Sequence, residues 1–217
     1  MRALVTGFEP FGGSSVNASI EAVRRLPPRM AALEVATAEL PTSYARAHAA
    51  LAAAIERIEP DLVLCVGQAG ERAALCMERV AVNVQDAEIA DNDGARPADV
   101  PVVAGGPAAY LATLPVRAAV AALQAAELPA QISMSAGTFV CNHVFYHLMH
   151  LATTGPRIFL GGFLHVPALP GHRAGNLPSM PLEDIVRGIE TVLEVSAKGG
   201  GERPGEATRR RSKPALL

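Results

Sequence analysis

Cys141 stands in the stretch SAGTFVCNHVFYH, residues 135–147, with His143, His147 and then His150 close behind it. A thiol beside imidazoles admits three chemistries: a packed core thiol, a metal ligand, or a nucleophile. The histidines recur at i, i+4 and i+7, on one face of a helix, where neighbouring imidazoles could share an ion. No HExxH pattern and no acidic residue accompanies them. The plainer reading is an exposed polar stripe, and no metal is expected. Two residues turn a helix by about 200°, so His143 is expected to point away from the thiol.

Cys65 and Cys76 lie inside apolar strand patterns and read as small buried hydrophobes. Cys141 differs. It follows a strand and a glycine-containing turn and opens a helix, and in a doubly wound sheet such turns lie at the carboxyl edge, where ligands bind. A helix N-terminus favours a thiolate and can hold an oxyanion. A nucleophilic thiol also needs a proton shuttle. His165, in GGFLHVP, ends the next strand; if that strand lies parallel and adjacent to the strand over 131–136, its end reaches the Cys141 turn. Glu78, in CMERVAVN, is an acid in an apolar segment. If buried it needs a partner, and behind an imidazole it would fix the tautomer. The residues alone leave two readings open: a Cys–His–acid set, or a core thiol with Glu78 facing outward beside Arg79. The loop TGFEPFGG, 6–13, has the glycines of a phosphate cradle but matches neither GxGxxG nor GxxxxGK[ST]. Phe8 and Phe11 suggest a flat apolar pocket there, or simply rings that pack the loop down.

These residues must be positioned by alternating elements. Apolar runs predict strands over 2–7, 33–39, 61–67, 73–83, 131–136 and 158–166. Helical spacing predicts helices from Asn17 to about Leu26, from Thr42 or Ser43 to about Ile58, over 116–126, over 141–153, and after Ser179, with Pro181 in the first turn. Residues 84–114, rich in Pro, Gly and Asp, read as one long irregular segment. The alternation predicts a single α/β domain, residues 1–197, with a largely parallel sheet and helices on both faces. The segment 198–217, KGGGERPGEATRRRSKPALL, reads as a disordered tail.

Composition narrows the function. Half of the 217 residues are apolar and the net charge is −2 at pH 7, so no basic field covers the chain and nucleic acid is not an expected partner. No window offers the roughly 18 unbroken apolar residues of a membrane span, and MRALVTGF is too short a run for a signal peptide. Three cysteines far apart, without CxxC spacing, argue against a disulfide framework. A cytoplasmic protein is expected.

Five motifs in order, LVTGFEPFGG…N at 4–17, PDLVLCVGQAG at 60–70, ERVAVNVQDAEIADNDG at 78–94, SAGTFVCN at 135–142 and GFLHVP at 162–167, make the chain resemble the pyroglutamyl peptidase I family, the pyrrolidone-carboxylate peptidases. The resemblance implies an α/β globule with a twisted, mixed sheet and a cysteine peptidase acting on N-terminally pyroglutamylated peptides. It places the nucleophile on Cys141, the general base on His165 and the orienting acid on Glu78. The pyroglutamate pocket falls on Phe8, Phe11, Gln68, Ile89, Phe139 and Val140. No cofactor or metal is implied, and a homo-oligomer, tetramer or dimer, is expected. Three residues depart from the bacterial pattern: Glu88 stands for a common arginine, Ala90 for a proline, and Glu71 for a glycine. Two other readings are a cysteine amidase for another small cyclic or acyl amide, and a binding protein that kept the pocket but lost the chemistry.

Overall fold

In the computed structural model, which describes residues 1–171 and 178–199, a seven-stranded sheet divides two layers of helices. Its strands are β1 (Arg2–Phe8), β2 (Arg29–Met30), β3 (Leu33–Leu40), β4 (Leu62–Gln68), β5 (Leu75–Glu78), β8 (Ala130–Ser133) and β9 (Leu160–Val166), in the order β2-β3-β1-β4-β9-β5-β8. A separate two-stranded ribbon pairs β6 (Val80–Val82) with β7 (Ala109–Leu111). The helices are α1 (Ala18–Val23), α2 (Ala47–Ile58), α3 (Val116–Ala125), α4 (Val140–Thr154) and α5 (Leu182–Gly199).

The central strands read as unbroken apolar runs because both of their faces are covered. Alternate residues feed two cores. Ala3, Val5, Leu62, Leu64 and Val66 pack with Ile20 of α1, Leu123 of α3 and Ile189 of α5. Leu4, Val63, Cys65 and Phe163 pack with Leu51 of α2 and Val144 and Leu148 of α4. The expected α/β sandwich is thus present, and its sheet is mixed.

The neighbour expected for β9 is not the one found. β8 does not touch β9; β5 lies between them, antiparallel to β9 and parallel to β8. The cause is the connection from β4 to β5 over residues 69–74. A segment that short cannot return to the other edge of the sheet, as a parallel strand would require, so β5 enters in the opposite sense. The stretch 73–83, expected as one extended piece, divides at Arg79 between the sheet and the ribbon.

Other boundaries shift for local reasons. Asn17 caps α1 as expected, its Oδ1 accepting the Ser19 amide at 3.0 Å. α2 starts later than Thr42 or Ser43, because these residues are drawn to the acidic loop: the Tyr44 amide donates to Asp91 at 2.8 Å and the Ser43 hydroxyl to Asp93 at 2.6 Å. Ser179 forms a bridge with Ala168, and the Pro181 carbonyl accepts the amides of Asp184 and Ile185 in the first turn of α5. α5 runs through Gly199, past the expected boundary at Ala197; the expected tail from residue 200 onward lies outside the described residues.

The close approach of α1 to β1 depends on Gly7. A Cβ there would lie 2.7 Å from the Cα and N of Ile20, backbone atoms that cannot step aside. Gly7→Ala is expected to destabilise the protein by about 1–3 kcal/mol, read as a lowered midpoint in thermal or urea denaturation.

Candidate active site

The antiparallel pairing of β5 with β9 sets Glu78 opposite Phe163 and Cys76 opposite His165. Glu78 and His165 are therefore diagonal neighbours on one face of the sheet. Their side chains meet, His165 Nδ1 lying 2.8 Å from Glu78 Oε1, with both residues buried. The bond fixes the ring and leaves Nε2 as the nitrogen available to another group.

A third residue, which the sequence reading passed over, completes this charge arrangement. Arg72 donates to Glu78 Oε1 at 2.6 Å and to the Ser133 hydroxyl at 3.1 Å, and its other amino group donates to the Ser135 carbonyl at 3.0 Å. It neutralises the buried carboxylate and anchors the turn that leads to Cys141. Glu78 Oε2 has no hydrogen-bond partner among the described residues. Arg72 lies in a short loop between two strands, where a basic residue usually reads as solvated, so only its distance of six positions from Glu78 hinted at a role.

Cys141 lies in the first turn of α4, as expected. Its Sγ sits over Gly67: a Cβ on that glycine would be 2.9 Å from the sulfur and 2.8 Å from the Phe163 ring. Gly67 is also the register partner of His165 on the adjacent strand. The thiol therefore lies above the strand pair that carries the imidazole. Phe139 ends the turn without a side-chain cap, so the first amides of α4 keep their donors open. Asn142 fixes where those amides point. It accepts from the Val82 amide at 3.0 Å and donates to the carbonyls of Val82 at 2.9 Å and Val84 at 3.0 Å, tying α4 to the ribbon.

Burial, with the charge of Glu78 behind it, pushes the Cys141 thiol up to about 12; Arg72 and the residue's own amide act in the other direction and do not overcome it. The helix N-terminus, which favours a thiolate, is here opposed by desolvation. Burial also lowers the pKa of His165, against the pull of Glu78.

A cleft lined by Phe8, Phe11, Gln68, Phe139, Val140 and Cys141, with Asn17 and Thr42, opens beside the thiol at the carboxyl edge of β1 and β4. Its free volume of about 10 Å³ is that of a single water-sized sphere. The rings of Phe11 and Phe139, 6.1 Å apart, close it. Gln68 spends its carbonyl oxygen on the Ala18 amide at 2.7 Å, at the start of α1. Five of the six expected pocket residues are thus brought together. Ile89 is not: it is 49% exposed, on the outgoing arm of a loop closed at its base by the Ala87–Pro97 backbone bond and at its tip by the Asp91–Ala95 bond. A larger cleft of about 690 Å³, at the ends of α2 and α4 near Phe159, lies at the opposite edge of the sheet.

The sequence profile of the pyroglutamyl peptidase family matches residues 1–199. The chain belongs to that family. It is 48% identical over 198 residues to pyrrolidone-carboxylate peptidase 1 of Ralstonia nicotianae, covering 90% of this chain and 92% of that one. It is 51% identical over 199 residues to the pyrrolidone-carboxylate peptidase of Gloeobacter violaceus, covering 90% and 96%. Pyroglutamyl peptidase I of Bacillus amyloliquefaciens superposes with a TM-score of 0.88 at 38% identity, over 92% of this chain and 98% of that one. Against the family pattern, the departures Glu71, Glu88 and Ala90 are all exposed. The two added carboxylates thus reach the cleft only through a solvent-screened field.

The histidines of α4 do not form the exposed stripe that their spacing suggested. His143 is buried, while His147 and His150 are partly covered. α4 packs on α2 as well as on the sheet, so its buried arc is wider than one stripe.

Arg72→Met leaves the Glu78 charge without its cation, and is expected to cost about 1–3 kcal/mol. Because the Arg72 charge lowers the pKa of both His165 and Cys141, its removal should move the His165 imidazole titration, followed by NMR, to higher pH. An unchanged titration would show that Arg72 is a structural tie only.

Proposed function

We propose that this chain is a cysteine peptidase that releases the N-terminal pyroglutamyl residue of peptides, with Cys141 as nucleophile, His165 as general base and Glu78 as the acid that orients it. One observation carries the reading: the His165–Glu78 bond stands on the strand next to Gly67, over which the Cys141 sulfur lies. Family membership supplies the substrate class.

In this mechanism His165 Nε2 takes the thiol proton as Sγ attacks the carbonyl carbon that follows the lactam ring. The open amides at the start of α4 receive the developing oxyanion. The imidazolium then gives its proton to the departing amine as the C–N bond breaks, leaving a thioester. Water, deprotonated by the same nitrogen, attacks the thioester, releases pyroglutamate and restores the thiol. Glu78 holds Nδ1–H throughout and stabilises the transient imidazolium. Pyroglutamate carries no amine charge, which suits a cleft walled by Phe8, Phe11, Phe139 and Val140 with the Gln68 amide as its polar end. Phe11, on the loop after β1, lines the cleft opposite Phe139, where the ring is to be held. Ile89, on the acidic loop outside the cleft, completes the proposed set of substrate contacts.

The same proposal includes a cytoplasmic location and a homo-oligomer, tetramer or dimer. Three free cysteines fit a reducing compartment, and no helix among the described residues is long and apolar enough to cross a membrane. The exposed Leu111, Met134 and Ile158 offer apolar surface to a second copy.

A pyroglutamyl-amidocoumarin substrate tests the chemistry. Cys141→Ser is expected to lower kcat by roughly a thousandfold or more, and full activity in that variant would sink the proposal. The base must be neutral to work, and its pKa is depressed. The acid limb of kcat/KM should therefore fall below about pH 6.5, the ordinary imidazole value. Glu78→Gln removes the charge that supports the imidazolium, so it should lower kcat and move that limb further to the acid side.

A further inference from the structure

A second cluster of reactive side chains lies outside the thiol cleft. His48 of α2 and His143 and His147 of α4 each bring a ring nitrogen within 4.8 Å of the other two. The pair on α4 is spaced i, i+4 and so shares one face; His48 reaches it from the neighbouring helix. The ring centroids are 4.6 Å apart for His143 and His147, 4.8 Å for His48 and His147, and 5.8 Å for His48 and His143.

His143 supplies an independent sign that something belongs there. It is 4% exposed, yet neither Nδ1 nor Nε2 has a hydrogen-bond partner among the described residues. A buried polar group without a partner costs about 1–3 kcal/mol. An apolar side chain would fill the same space without that cost. Tyr44, whose ring edge meets His143, does not relieve it, because the Tyr44 hydroxyl donates to the Thr138 carbonyl.

We propose that His48, His143 and His147 form a binding site for a divalent transition-metal ion of the zinc class, joining α2 to α4 and leaving a fourth position to water. An all-imidazole donor set, with no carboxylate, selects zinc, nickel, copper or cobalt over magnesium and calcium. Three histidines with one open position are an established zinc arrangement. Tetrahedral Zn–N bonds of about 2.0–2.1 Å place the nitrogens about 3.3 Å apart, so the cluster must contract. The exposed His48 can do this by turning out of its stack on His147. His143, fixed by packing, is the anchor. His150, a turn further along α4, is engaged with the Tyr110 hydroxyl at 2.8 Å and stays outside the set. The site does not depend on the peptidase reading, since no member of it touches the thiol cleft's chemistry.

The test uses the full chain without a polyhistidine tag, stripped by chelator and carrying Cys141→Ser so that the thiol cannot compete. Titration with Co²⁺ is expected to give visible ligand-field bands of a nitrogen-ligated site that saturate at one equivalent and are displaced by Zn²⁺. His48→Ala and His147→Ala should each weaken Co²⁺ binding by about tenfold or more, and His150→Ala should leave it unchanged. Zn²⁺ should raise the melting temperature of the parent and not of His48→Ala, an exposed position whose replacement leaves the core intact. Absence of the bands, or bands of undiminished affinity in both His48→Ala and His147→Ala, overturns the site.

Discussion

The antiparallel entry of β5 beside β9 is the constraint on which the site depends. In an antiparallel pair, diagonal residues on one face lie within reach of long side chains, and that relation carries Glu78 to the imidazole of His165. A parallel β5 would need a long crossover and would arrive in another register. The short connection after β4 therefore does two things at once. It reverses the strand, and it presents Arg72 to the carboxylate it must balance.

Electrostatics at the site is a contest between burial and pairing. Burial raises the pKa of the thiol and lowers that of the imidazole, so it disfavours the charged form of each. Arg72 pairs with the buried Glu78 carboxyl in a mostly apolar surrounding. In the proposed reaction, an imidazolium formed at His165 would find the Glu78 carboxylate already in place and need little reorganisation.

Much of this was legible in the residues. DLVLCVG could be read as a strand covered on both faces because it has no polar alternation. Cys141 stood out because it follows a glycine turn and opens a helix, unlike Cys65 and Cys76. Glu78 stood out as an acid in an apolar run. What was hidden depended on neighbours distant in sequence. The sense of β5 follows from a connection length whose meaning is clear only once the sheet order is known. The run DLVLCVG gives no sign of the role of Gly67, which is the room it leaves for sulfur and the Phe163 ring. His143 was read as exposed because helical spacing gives one face of α4 and does not say that α2 covers a second. Ile89 sits in a loop whose fold is set by Asp91 contacts with Tyr44, which no local pattern displays.

The three bonds of Asn142 to the backbone of Val82 and Val84 have a mechanical consequence. They make the small ribbon a jig for the first turn of α4. The long irregular segment between β6 and β7 is free to vary in length only where it does not pull on that jig. Insertions near the exposed residues 88–90 would be absorbed by the loop, whereas one added residue at 83 or 84 would tilt the helix amides by the offset of a whole peptide unit.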